Sequence, residues 1–297
     1  MPIIQNYQIK NDTTFKIGGI VEEVAIPESF GELIELLKQN KYERIFGNCS
    51  NVLFSSNKIN KKIILTKKLS QYEINDCYVS VSCGTNGGLI AKKCAEIGLS
   101  GFEFMIGFPG CFGGMIYMNA SAHKQAISDN FIAAKLYDID KNEIVTFEKE
   151  EMGFSYRNSN LMDKNLILLS AIFELKKANN EDIKKRMEDN LTFRKERQPS
   201  LRIGNAGSIF KNPEGDSAGR LIEQCGLKGC SYGGAKIFDN HANFIVNENN
   251  ASSYDVLRLM LNMKQSVKEK FNIELKPEVK YIGDRETEEY KLWELIL

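Results

Sequence analysis

Apolar residues Phe30, Leu33, Ile34 and Leu37 recur three and four apart, which predicts an amphipathic helix over residues 28–38. Residues 44–46, 62–65 and 78–83 are short apolar runs with strand character. Residues 87–97 read as a second helix, stopped by Gly98. The runs 131–138 and 143–147 flank Asp140-Lys141-Asn142, which predicts a hairpin, and residues 166–175 give another strand. A charged helix over residues 180–198 ends ahead of Pro199. Further on, Ser252 and Asp255 have the spacing of a capping box, and Val256, Leu259, Met260, Met263 and Val267 then share one helical face. Residues 275–282 predict a closing strand, and Tyr290, Trp293 and Leu297 lie at helical spacing in the tail.

Helices and strands are mixed without the regular strand–helix–strand alternation of a nucleotide-binding parallel sheet. The class expected is therefore α+β. Residues 199–215 are punctuated by Gly, Asn and Pro, and they mark a boundary between a domain of residues 1–198 and one of residues 199–297.

Composition narrows the function. The 297 residues carry 39 Lys+Arg and 39 Asp+Glu, a net charge of zero, which argues against non-specific nucleic-acid binding. With 42% hydrophobic and 26% charged residues, the chain can bury ordinary cores and is not of disordered type. No apolar run reaches the ~18–20 residues of a membrane helix, and no signal peptide opens the chain. The seven cysteines are odd in number and never in CxxC spacing, so reduced cytosolic thiols are expected. With only His123 and His241 beside them, no metal site is expected.

Three glycine-marked segments can carry chemistry: Thr13-Thr14-Phe15-Lys16-Ile17-Gly18-Gly19; Gly47-Asn48-Cys49-Ser50-Asn51; and Gly107-Phe108-Pro109-Gly110-Cys111-Phe112-Gly113-Gly114. Glycine lets a backbone bring its N–H groups close to an anion, and two such loops together can hold a pyrophosphate without Lys or Arg. Read singly, each is equally a plain turn, and none fits GxGxxG or GxxxxGK(S/T). Three polar segments stand beside them. Phe154-Ser155-Tyr156-Arg157-Asn158-Ser159 sets an Arg among hydroxyls, residues 205–213 set Ser208 between a Gly and an apolar pair, and Glu278 follows Pro277 at the start of an apolar run. Each has a structural alternative: a surface ion pair, an N-cap, a strand-edge carboxylate.

Taken together and in this order, the segments resemble the UDP-N-acetylenolpyruvoylglucosamine reductase family, in its shorter form, from about Thr13 to Gly283. The stretch Asn205-Ala206-Gly207-Ser208-Ile209-Phe210-Lys211-Asn212-Pro213 matches the family pattern in full, and further matches lie at residues 13–19, 107–120, 156–159, 218–229, 241–247 and 277–283. Three residues depart from it: Cys49 stands for a Gly, Cys111 for a Ser or Thr, and Ser121 for a frequent Gly. A non-Gly residue at position 49 costs roughly 1 kcal/mol if the turn demands positive φ. Residues 284–297 lie beyond the resemblance.

The resemblance implies a two-part FAD-binding domain of the vanillyl-alcohol-oxidase/p-cresol-methylhydroxylase type, split near residues 60–75, followed by a smaller α+β substrate-binding domain. It implies non-covalent FAD, held by Gly47, Asn48, Cys49, Ser50, Asn51, Pro109, Gly110, Cys111, Gly113 and Gly114. NADPH would be the hydride donor and UDP-N-acetylglucosamine enolpyruvate the substrate, in a cytoplasmic monomer serving peptidoglycan precursor synthesis. Hydride addition leaves a carbanion beside a carboxylate. Arg157 then supplies the stabilising cation, Ser208 the proton, and Glu278 the surroundings of the enolate. Tyr156, Lys211 and Asn212 are substrate contacts on this reading, each with a structural role as the alternative. His241 is expected to be structural and His123 a loop residue. Arg157, Ser208 and Glu278 favour this reductase over another flavoprotein of the wider fold, or over a non-catalytic flavin-binding relative, which Cys49 and Cys111 keep open.

Overall fold

The helices fall where the periodicity puts them. In the computed structural model, which describes all residues 1–297, Phe30–Lys38 is opened by Ser29, whose Oγ accepts from Glu32 N, and buries Leu33, Leu36 and Leu37. Gly87–Glu96 is capped by Asn86, whose side chain accepts from Leu89 N at 2.9 Å. Ser253–Phe271 carries the expected capping box: Ser252 Oγ accepts from Asp255 N, and Asp255 Oδ2 accepts from Ser252 N. Asn180–Arg197 and Glu288–Ile296 complete the long helices.

The chain divides into two compact units. The first holds residues 1–3, 25–48 and 62–193, and the second residues 4–24, 49–61 and 194–297. This differs from a linear division at 198/199, because residues 4–24 and 49–61 pack with the C-terminal third. The strand Val52–Phe54 is the reason. It pairs in parallel with Lys280–Ile282, and a pairing so distant in sequence leaves no local signal.

The first unit is built on a five-stranded antiparallel sheet in the order Glu143–Glu148, Phe131–Asp138, Leu166–Glu174, Tyr78–Ser82, Tyr72–Asn75. Phe131–Asp138 and Glu143–Glu148 are the expected hairpin. Behind the sheet, the Phe173 ring meets Phe102, Phe112 and Phe131 at 5.2, 5.4 and 5.6 Å between centroids. Arg44–Phe46 runs parallel to residues 63–65 and delivers the chain at its carboxyl end to residues 47 and 48.

The second unit has a four-stranded antiparallel sheet, Asn205–Gly207, Phe244–Asn247, Ala235–Ile237, Ser231–Tyr232, covered by Ser253–Phe271 and Ala218–Gln224. The tail helix closes this core with Trp293 and Ile296. It also buries Glu289, which accepts hydrogen bonds from Ser55 Oγ, Ser253 Oγ and Tyr281 OH at 2.5, 2.6 and 2.8 Å. Burial pushes the Tyr281 phenol up, so it stays a donor. The closing strand is shorter than its apolar run predicts. Only Lys280–Ile282 is strand, because the backbone just before it pairs with residues 209–211 instead. No helix is long and apolar enough to cross a membrane.

Candidate active site

Two of the three glycine segments meet in the first unit. Asn48 Nδ2 donates to Pro109 O at 3.0 Å, and Gly87 N donates to Gly110 O at 3.2 Å. A Cβ at Gly47 would lie 1.9 Å from Cys111 Sγ, so glycine there is what lets the thiol pack against the loop. Cys111 thus fills space where a hydroxyl would seek a partner. The neighbouring Cys83 thiol is pushed up to about 12, by burial first and by Cys111 second, so it is neutral and inert. Gly113 N donates to Cys83 O at 2.7 Å, which commits that amide to the protein itself, whereas Gly114 is exposed with open space beside it.

Cys49, Ser50 and Asn51 lie in the second unit. Cys49 has φ +46°, so the turn does demand the left-handed region, and burial of the side chain offsets part of the penalty. Asn51 Nδ2 donates to Glu278 O, and Lys280 N donates to Asn51 O, both at 3.1 Å. The segment of residues 13–19 proves to be a packing turn. The buried Thr13 Oγ accepts from Ile17 N, Gly19 N donates to Ser55 O at 2.6 Å, and Thr14 Oγ donates to Ser50 O.

Arg157 sits in a tight turn of the first unit. Ser155 and Asn158 exchange two N–H···O bonds of 3.2 Å around it, and its φ is +54°. Arg157 Nη1 donates to Ser121 Oγ at 2.8 Å. Its guanidinium carbon stands 5.3 Å from the centroid of the exposed Tyr156 ring. The turn is tied down by Ser159 Oγ, which donates to Tyr117 O at 2.7 Å, and by Asn119 Nδ2, which donates to Ser155 O at 3.0 Å.

Ser208, Lys211, Asn212 and Glu278 share the second unit. The Ser208 segment is held on both sides. Ile209 N donates to Asn243 O, and Asn243 clamps Phe210 with one bond to its N–H and one from its own Nδ2 to Phe210 O. On the other side Glu278 N donates to Ile209 O at 2.8 Å, and Lys211 N to Lys276 O at 2.9 Å. The structure therefore brings Ser208 and Glu278 to neighbouring backbone positions; Ser208 is half-buried and Glu278 buried. Asn212 Oδ1 accepts from Ala218 N, a structural bond at the start of Ala218–Gln224. Lys280 is a cation the sequence did not mark. Its ammonium is shifted down, first by desolvation and then by Lys211, which places the two positive charges close together.

His241 is structural. Its Nδ1 accepts from Asn243 N, and burial lowers its pKa. His123 lies at φ +52° in a hairpin turn. No group of three or more His, Cys, Asp or Glu side chains is arranged to hold a metal ion. Asn119, Ser121, Asn243 and Lys280 are the residues that sequence reasoning missed. Each acts through a fold-specific partner, and only Ser121 was visible at all, as a departure from a pattern.

Comparison with known proteins accounts for both units. The FAD binding domain family matches residues 21–148, and the UDP-N-acetylenolpyruvoylglucosamine reductase C-terminal domain family matches residues 198–282. The UDP-N-acetylenolpyruvoylglucosamine reductase of Caldicellulosiruptor saccharolyticus is 43% identical over 291 residues, covering 96% of this chain and 93% of that protein. The enzyme of the same name from Clostridium novyi is 38% identical, covering 95% and 92%. The crystal structure of UDP-N-acetylenolpyruvylglucosamine reductase from Thermus caldophilus matches with a TM-score of 0.80 at 32% identity, over 94% of this chain and 98% of that one. The α+β class, with an FAD-binding domain and a second α+β domain, is borne out.

Proposed function

Because the chain belongs to the UDP-N-acetylenolpyruvoylglucosamine reductase family, we propose that it uses NADPH and non-covalent FAD to reduce UDP-N-acetylglucosamine enolpyruvate to UDP-N-acetylmuramate. On this reading it is a cytoplasmic monomer that feeds peptidoglycan synthesis. The single observation that supports the mechanism best is the main-chain pairing of residues 209–211, next to Ser208, with residues 276–279, which include the buried Glu278.

The residues present fit the flavin. The loops of residues 47–51 and 107–114 are rich in glycine and neutral side chains, and open space lies beside Gly114. Backbone N–H groups are the donors such loops offer a pyrophosphate. When bound, FAD supplies two-electron transfer from the nicotinamide to the terminal alkene carbon.

The chain's own residues handle the charge and the proton. Reduction at the terminal carbon develops an enolate next to the substrate carboxylate. Arg157, always charged and able to grip a carboxylate with two N–H groups, neutralises it. Ser208 Oγ gives its proton to the carbon next to the carboxylate. A serine hydroxyl is a weak acid, so it serves only against a strongly basic enolate and with a network that returns the proton. Glu278 belongs to that network. Lys211 and Tyr156 bind substrate, while Asn212 supports the loop from which Lys211 projects.

An NADPH-oxidation assay with and without the enolpyruvyl substrate tests the reading. Substrate-dependent oxidation, by a yellow protein that releases intact flavin on heating, is the expected result. Oxidation indifferent to the substrate would overturn it, as would a colourless protein that cannot be reconstituted with FAD.

A further inference from the structure

We propose that Ser121 is a positioning residue for Arg157: its hydroxyl fixes the guanidinium and thereby sets how tightly the substrate carboxylate binds. The inference rests on the reading of Arg157 given above. A guanidinium grips a carboxylate well only when its plane is oriented in advance, because a long side chain otherwise loses rotamer freedom on binding. The turn around Arg157 fixes its backbone, through the two 3.2 Å bonds between Ser155 and Asn158, but leaves the side chain to be ordered. Two contacts do so from different directions. Tyr156 lies 5.3 Å from the guanidinium carbon, and Ser121 Oγ accepts from Nη1 at 2.8 Å.

The mount of Ser121 is stiff. Residues 121–122 pair with 125–126, and His123 and Lys124 between them have φ of +52° and +63°, the two-residue turn with both φ positive that suits a tight hairpin. Asp129 Oδ2 accepts from Ala126 N, and Asn119 Oδ1 accepts from Ser128 N, so the hairpin's return strand and the residues after it are held as well. The stretch 117–121 touches the Arg157 turn three times, through Tyr117, Asn119 and Ser121.

The holoenzyme tests this with Ser121→Ala, Ser121→Gly and Ser121→Thr, alone and combined with Arg157→Lys. Binding of the enolpyruvyl substrate to the oxidised enzyme is read from the shift in flavin absorbance, and turnover from NADPH oxidation. Ser121→Ala and Ser121→Gly should each weaken binding and raise KM about ten-fold, the scale of one hydrogen bond to a charged group. Flavin reduction by NADPH should stay unchanged, and Ser121→Thr should restore binding. In the Arg157→Lys background, Ser121→Ala should add less than a two-fold effect. Binding by both the Ala and Gly variants within two-fold of wild type would overturn the proposal, as would an undiminished effect without the guanidinium. Failure of the wild-type protein itself to bind the substrate would instead sink the reading of the reaction.

Discussion

The Arg157 turn and the Ser208 segment are held in opposite ways. Arg157 lies in a left-handed turn anchored by side chains: Asn119, Ser121 and Ser159 each make one bond, and the Arg157 turn itself lies outside the named strands. Ser208 continues a strand. Main-chain bonds flank it on both sides, and Asn243 alone contributes a side-chain clamp. Arg157, which grips the substrate carboxylate on the reading proposed above, is adjustable through single substitutions. Ser208, the proton donor on the reading proposed above, is held mainly by the backbone, which most side-chain substitutions reach less readily.

The largest expected effect is at the backbone-held group. Ser208→Ala should leave flavin reduction by NADPH intact and slow reoxidation by the enolpyruvyl substrate roughly 10³-fold, about 4 kcal/mol. Normal reoxidation in stopped-flow would pass the proton role to Glu278. Arg157→Lys keeps the charge and loses the fork. We expect roughly 10²-fold slower substrate turnover, about 2.7 kcal/mol, with the NADPH half-reaction spared. Equal slowing of both half-reactions would mean that Arg157 serves the flavin or the fold.

The comparison sharpens at Gly207, which faces Phe244 across the sheet. A Cβ there would come within 2.4 Å of the ring, so Gly207→Ala must displace the strand that presents Ser208. We expect about 2 kcal/mol of lost stability in thermal or urea unfolding, and reduced turnover in the folded fraction. An unchanged midpoint would mean that the segment is more pliant than its bonding indicates. The smallest effect is expected from Lys124→Gly. Lys124 is exposed at φ +63°, so glycine should raise stability by about 0.5–1 kcal/mol. A loss of stability would show that the lysine side chain itself supports the hairpin.

What could be read from the sequence was what repeats locally. The face of Val256, Leu259, Met260, Met263 and Val267, the capping box at Ser252 and the hairpin around residues 140–142 all took the form that their spacing predicts. So did the α+β class. The candidate site was legible only as segments, because the segments of Ser208 and Glu278 are joined through a pairing of residues 209–211 with 276–279 that no periodicity encodes. The same is true of the strand pairing between Val52–Phe54 and Lys280–Ile282. The roles of Asn119 and Ser121 depend on what stands opposite them in space, and their neighbours in the chain say nothing of it.

Glu289 dictates an order of assembly during synthesis. Its three donors come from Ser55, Ser253 and Tyr281, so the loop next to Cys49 and the strand after Glu278 are locked by a carboxylate that is made after all three. The first unit's core is complete in sequence at Met187, and it can condense while the rest is still being made. The second unit must wait for residues 289–296, since Trp293 and Ile296 also belong to its core. A nascent chain stopped at residue 285 would therefore carry a finished first unit and an open second one, with Ser208 synthesised but not yet seated.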